Sequence, residues 1–171
     1  MKKYLLFFFF LSTLNYAHAD DKIVYLDINL ILNNSKAGKY LNSELQNLNN
    51  KNIEEFMKIE SSIKSEDDKL SKQKNILNEK DYNIKVVELR SKYKSYKELM
   101  KKKNTSLNKI RENGANQILK IVNDILAEYS IKNNILLIVD KKNIIIGKAE
   151  LNITNNILKL LDNKITKVDF K

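Results

Sequence analysis

Between about Lys36 and about Tyr129 the chain has no proline, and its only glycines there are Gly38 and Gly114, one near each end. The stretch is rich in Lys, Glu, Leu, Ile and Asn. Apolar residues recur three and four apart: Leu41, Leu45, Leu48, then Phe56, Ile59, Ile63, then Leu70 and Leu77. After a polar interval they resume at Ile84, Val87, Tyr93, Tyr96, Met100, Leu107, Ile110, Ile118, Ile121 and Ile125. That spacing puts one narrow apolar stripe on a helix, as in a coiled coil, and not the broad face of a globular-core helix. The stripe shifts register near Asn52–Phe56 and is interrupted by Glu66, Gln73 and Lys103. Local helix pairing is therefore predicted, not one strict heptad rod.

Near the midpoint, Asn78-Glu79-Lys80-Asp81-Tyr82-Asn83 has weak apolar character. Asn and Asp favour turns by bonding to nearby backbone. Residues 78–83 thus read as the tip of an antiparallel hairpin spanning 36–129. Each arm would have roughly 40–45 residues and run roughly 60–70 Å at about 1.5 Å per residue. The competing reading is one long parallel coiled coil. Gly114 reads as a bend, a close helix contact or a tolerated glycine, the last being preferred.

The flanks decide between hairpin and rod. Lys22-Ile23-Val24-Tyr25-Leu26-Asp27 reads as a strand and Ile28–Leu32 as a helical turn. Ser35 can cap the helix that starts near Lys36. Past Ser130, Ile135-Leu136-Leu137-Ile138-Val139 reads as a strand buried on both faces. Asp140-Lys141-Lys142-Asn143 is a turn cluster, and Ile144-Ile145-Ile146 reads as a second strand completing a β-hairpin. Asn152–Asp162 is a closing helix capped by Asn152 or Thr154, and the polar tail from Asn163 is expected to fray. If the strands share a sheet, the helices must leave it and return, which favours the hairpin. The flanks, 20–35 and 130–171, supply only about 45–50 β-rich residues, too few for a comfortable core of their own. Pooling of strands by several chains resolves this, with Ile23, Val24, Leu26, Leu136, Leu137, Ile138, Val139, Ile144, Ile145 and Ile146 as the shared core. The expected class is α+β: a small β-rich oligomerisation body bearing a long helical hairpin.

At the N-terminus, Met1-Lys2-Lys3, an apolar run from Tyr4 to Leu14 and Ala17-His18-Ala19 have the order of a secretory signal peptide, residues 1–19. The run is too short to span a bilayer. A soluble extracytoplasmic protein is expected, most simply periplasmic.

Composition removes most chemistry. There is no Cys, and the single histidine, His18, leaves with the signal peptide. The mature chain then has no side chain titrating near neutrality and no usual zinc, copper or haem ligand. No enzyme, metal or cofactor is expected. The formal charge is +10, from 31 Lys and Arg against 21 Asp and Glu. The distribution is lopsided: residues 36–80 carry nine Lys against eight acids, whereas 84–120 carry nine Lys and two Arg against three. Lys92, Lys94, Lys97, Lys101, Lys102 and Lys103 are the densest part, with Tyr93 and Tyr96 among them. A solvated face is the plain reading. The sharper one is a surface for an acidic partner. A secretion signal argues against nucleic acid and towards anionic lipid or an acidic unfolded chain.

The two ends carry a resemblance. Lys22-Ile23-Val24-Tyr25-Leu26-Asp27 through Leu32, then Asn33-Asn34-Ser35-Lys36-Ala37-Gly38-Lys39, then Leu137-Ile138-Val139-Asp140, then Asn152-Ile153-Thr154 before Asn155-Asn156-Ile157-Leu158, occur in the order seen in the Skp/OmpH family of periplasmic chaperones. Asn152 stands where the family has an acid; both cap helices. The resemblance covers essentially the whole mature chain. It implies a homotrimer with three helical tentacles around a cavity that holds unfolded outer-membrane proteins without ATP. It also implies lipopolysaccharide or acidic phospholipid contact on the second arm, carried over here to Lys101, Lys102 and Lys103. A structural coiled-coil spacer of the cell envelope is the alternative function.

Overall fold

The computed structural model describes residues 22–170. The signal-peptide reading of residues 1–19 lies outside them. Strand β1 (Lys22–Leu26) opens the fold, and helix α1 (Ile28–Asn34) follows at once because Asp27 caps it, its Oδ1 accepting from Leu30 N at 2.9 Å. Ser35 then ends α1 and starts α2 (Lys36–Gln73). Its backbone N–H donates to Ile31 O while its Oγ accepts from Gly38 N at 3.1 Å. Both roles are filled in a fully buried position. One serine thus makes a sharp corner without leaving an orphaned polar group. Gly38 is required there: a Cβ would lie 1.8 Å from the Leu32 carbonyl oxygen.

Helix α3 (Glu79–Lys132) returns antiparallel to α2. The tip is displaced from the expected 78–83. Asn78 Oδ1 accepts from Asp81 N at 2.9 Å, so Asn78 caps α3 and the residues after it are helical. Glu79 and Asp81 then fall in the first turn, where the helix dipole favours acids. The turn itself is Lys74–Asn78, and the arms are unequal, 38 and 54 residues. At its far end α3 stops without glycine: Asn134 takes the left-handed conformation with φ 51°.

Strand β2 (Ile135–Asp140) pairs with β1 in parallel, Val24 opposite Ile138 and Leu26 opposite Asp140. The two helices are therefore the crossover of a parallel pair, and the departure and return of the chain follow from that pairing. The expected β-hairpin does not form. Asp140 Oδ1 accepts from Lys142 N, a 3₁₀ turn occupies Lys141–Asn143, and Ile144-Ile145-Ile146 is not a strand. Three residues that follow that turn do not fold back onto β2, although β1 takes only one of its edges. Among the described residues the sheet has two strands, so the body is less β-rich than expected. Nor is β2 buried on both faces: Leu136 and Leu137 are exposed.

Helix α4 (Thr154–Lys164) closes the body. Asn152 Oδ1 accepts from Thr154 N, and Thr154 Oγ1 accepts from Asp27 N at 2.9 Å, tying the helix start to the end of β1. The core joins Val24 and Leu26 of β1, Ile31 of α1, Ala37, Leu41 and Leu45 of α2, Ile118, Val122 and Ile125 of α3, and Ile157 and Leu161 of α4. Val24 and Leu26, expected to await a partner chain, are thus covered by their own. The tail does not fray, because Val168 is buried in the same core.

Candidate functional site

Away from the body the arm is a two-helix structure with a polar code in its apolar seam. On α2, the buried or half-buried positions Leu41, Leu45, Leu48, Phe56, Ile59, Ile63 and Leu70 follow the periodicity read from sequence. On distal α3 the phase differs. The half-buried residues are Tyr82, Val86, Leu89, Tyr96 and Leu99, whereas Ile84, Val87 and Tyr93 are exposed. Apolar residues lie on two faces there, and periodicity alone does not say which one α2 covers.

Glu66, Gln73 and Lys103, the three interruptions of the stripe, are all matched across the arm. Lys92 Nζ bonds Glu66 at 2.6 Å, Lys103 Nζ lies 2.9 Å from Glu55, and Lys85 Nζ donates to Gln73 Oε1 at 3.3 Å. As the residue number falls on α2, it rises by the same amount on α3, so all three pairs report one register. Exposed pairs of this kind contribute about 0–1 kcal/mol each. Their larger effect is on specificity: a slipped register would leave charges against apolar neighbours.

This sorts the six lysines expected to contact a partner. Lys92 and Lys103 are structural pair-formers. Lys97 lies over the Tyr93 ring, 4.7 Å from its centroid. Among the described residues Lys94, Lys101 and Lys102 have no carboxylate partner. Lys94 and Lys97 line an open groove of ≈ 730 Å³ between the helices, with Arg90 and Lys64. Its apolar lining is Ile63, Leu89 and Tyr93, and Glu60, Asp67 and Glu98 complete it. On the other side of the seam, Ser62, Ser91 and Ser95 surround the Glu66–Lys92 pair and Tyr96 in a groove of ≈ 400 Å³. The arm therefore has one densely charged side with a small excess of cations and one side whose single ion pair lies among hydroxyl groups. Tyr96 packs edge-on against Phe56, ring centroids 6.1 Å apart. Its phenol titrates above the ordinary value, first through loss of hydration and then through the Glu60 carboxylate and Tyr93.

The family model described as outer membrane protein (OmpH-like) matches residues 22–161. The chain belongs to the OmpH-like family. Its fold is shared with a crystal structure of a candidate outer membrane chaperone (OmpH-like) from Caulobacter crescentus CB15. The TM-score is 0.80 at 12% identity, over 88% of this chain and 89% of that one. A search of the curated proteins gave no match.

In this OmpH-like chain the body carries a second surface. Ile23, Leu136, Leu137, Ile145 and Ile146 are exposed large hydrophobics, Ile145 and Ile146 almost completely so. Ile138, Val139 and Ile144 are half-buried. Ile131 at the foot of α3 is also exposed and was not among the residues picked out from sequence; it continues no helical stripe. Among the described residues no helix is long and apolar enough to cross a membrane.

Proposed function

We propose that this OmpH-like protein is an ATP-independent holdase chaperone. In this reading the mature chain is soluble in the periplasm, where it binds unfolded outer-membrane proteins and keeps them from aggregating. The observation that carries this is the arm groove at Lys94 and Lys97. It is wide and open, lined by apolar and aromatic side chains, and its four cations, Lys64, Arg90, Lys94 and Lys97, outnumber its three acids, Glu60, Asp67 and Glu98, with neither Lys94 nor Lys97 in an ion pair among the described residues. Such a surface suits many weak contacts with an extended acidic chain and offers no enclosed pocket for a single ligand. Complexes with the unfolded state withhold it from aggregation. Release needs no nucleotide if insertion of the client in a membrane is more favourable than a weak complex.

The working particle in this proposal is a homotrimer. Exposed apolar side chains at Ile23, Leu136, Leu137, Ile145 and Ile146, all on the body, support burial between copies. The arms then stand around a shared cavity. Lipopolysaccharide or acidic phospholipid is a second partner for Lys101 and Lys102, whose ammonium groups face solvent.

The test is light scattering of a denatured β-barrel protein diluted into buffer with and without the mature chain. Suppression at near one trimer per client is expected, weakening as salt rises. Unchanged aggregation at low salt sinks the holdase reading and leaves an envelope spacer. Native mass measurement with and without client tests the trimer separately.

A further inference from the structure

The match to the family ends at residue 161, yet the chain continues and stays in contact with the arm. Ile165 leaves α4 in extended conformation, its N–H still bonded to Leu161 O. Val168 is only 4% exposed, in the core between the helix roots. The next residue is gripped by its backbone: Gln117 Nε2 donates to Asp169 O at 2.8 Å, and Asp169 N donates to Gln117 Oε1 at 3.0 Å. A side-chain amide thus satisfies both backbone groups of one residue, as a neighbouring strand would. Phe170 packs on Tyr40 with centroids 5.7 Å apart, and Lys167 Nζ sits 5.3 Å from the same ring. Tyr40 belongs to α2 and Gln117 to α3, so residues 165–170 touch both arm helices at their root.

Beyond this level the arm is loosely packed. On α2 no residue between Leu45 and Leu70 is buried, and on α3 none before Gly114. We propose that residues 165–170 are a strap that locks the arm root to the body and moves the arm's pivot outward, into the thinly packed shaft beyond Leu45. Without the strap, Tyr40 and Gln117 lose their cover, and the helix roots hinge at the body itself. The strap controls where the arm bends whether or not the arm holds a client.

Amide hydrogen exchange on the mature protein tests this, comparing the full chain with one ending at Lys164. Amides in 36–45 and 110–120 should exchange about ten-fold faster or more without the strap. Those of the shaft, 50–66, and of β1 and β2 should not change. Unchanged exchange at the root overturns the proposal. If truncation also loosens the strands, Gln117→Leu decides, because it removes only the two bonds to Asp169. A root-limited increase in that variant supports the strap, and no increase at the root overturns it.

Discussion

Gly114 gives the sharpest test of the arm's packing. A Cβ placed there meets Leu41 Cδ1 at 2.6 Å and Cδ2 at 2.9 Å, closer than carbon atoms approach. Leu41 is 4% exposed and belongs to the core, so it has little room to retreat. Two effects oppose each other in Gly114→Ala. Alanine favours the helix by about 1 kcal/mol over glycine. Overpacking costs about 1–3 kcal/mol. The net expectation is a loss of about 0–2 kcal/mol, against the gain an uncrowded helix would show. Leu41→Ala alone should cost about 2–5 kcal/mol, because it leaves a cavity. In that background Gly114→Ala meets open space and should stabilise by about 1 kcal/mol. The double-mutant cycle should therefore show a favourable coupling of about 1–3 kcal/mol. Urea unfolding at one fixed protein concentration measures it, since any self-association makes apparent stability concentration-dependent. An equal effect of Gly114→Ala in both backgrounds would refute the close α2–α3 contact.

Gly38→Ala should be worse than Gly114→Ala, losing about 3 kcal/mol or more in the same urea assay, because the clash at 1.8 Å is with backbone and no rotamer relieves it. Ser35→Ala should cost about 1–2 kcal/mol through loss of the cap of α2, with the folded circular dichroism unchanged. Lys94, Lys97, Lys101 and Lys102 changed together to Glu should weaken binding to anionic vesicles roughly ten-fold at low salt and leave the unfolding midpoint in place. Lys92→Glu with Lys103→Glu should do the reverse, lowering arm stability and leaving vesicle binding largely intact; the two variant sets behaving alike would remove the distinction between paired and free cations. Ile145→Asp with Ile146→Asp should abolish self-association by native mass spectrometry while the helical signal persists.

Several elements are legible in the residues because a local cause fixes them. Ser35 before Lys36, the break-free run after it, and a strand on either side are all set by short-range chemistry, and the return of the chain to its starting strand follows from that order, whereas the parallel direction of the β1–β2 pair does not. Three readings miss for one reason. Ile144-Ile145-Ile146 has strand composition but pairs with no strand among the described residues. The phase of distal α3 depends on which of two apolar faces α2 covers. The tail after Asn163 is polar enough to fray, yet Val168 finds a place in a core that reaches from Val24 of β1 to Leu161 of α4. Each depends on what lies opposite in space, which composition and period do not encode.

Glu66, Gln73 and Lys103 show what such context adds. Read singly along the chain they are flaws in a hydrophobic stripe, and they argue against a long coiled coil. Set opposite Lys92, Lys85 and Glu55 they become the features that allow one alignment of the arm and discourage others. A seam aligned by polar pairs needs little buried apolar area to hold its register, which leaves the shaft between Leu45 and Leu70 thinly packed without risk of slipping. The same economy leaves apolar and aromatic surface at Ile63, Leu89 and Tyr93 lining an open groove instead of sealed in a core. The polar residues that weaken the coiled coil are therefore what keep apolar surface open on an arm that still has a defined fold.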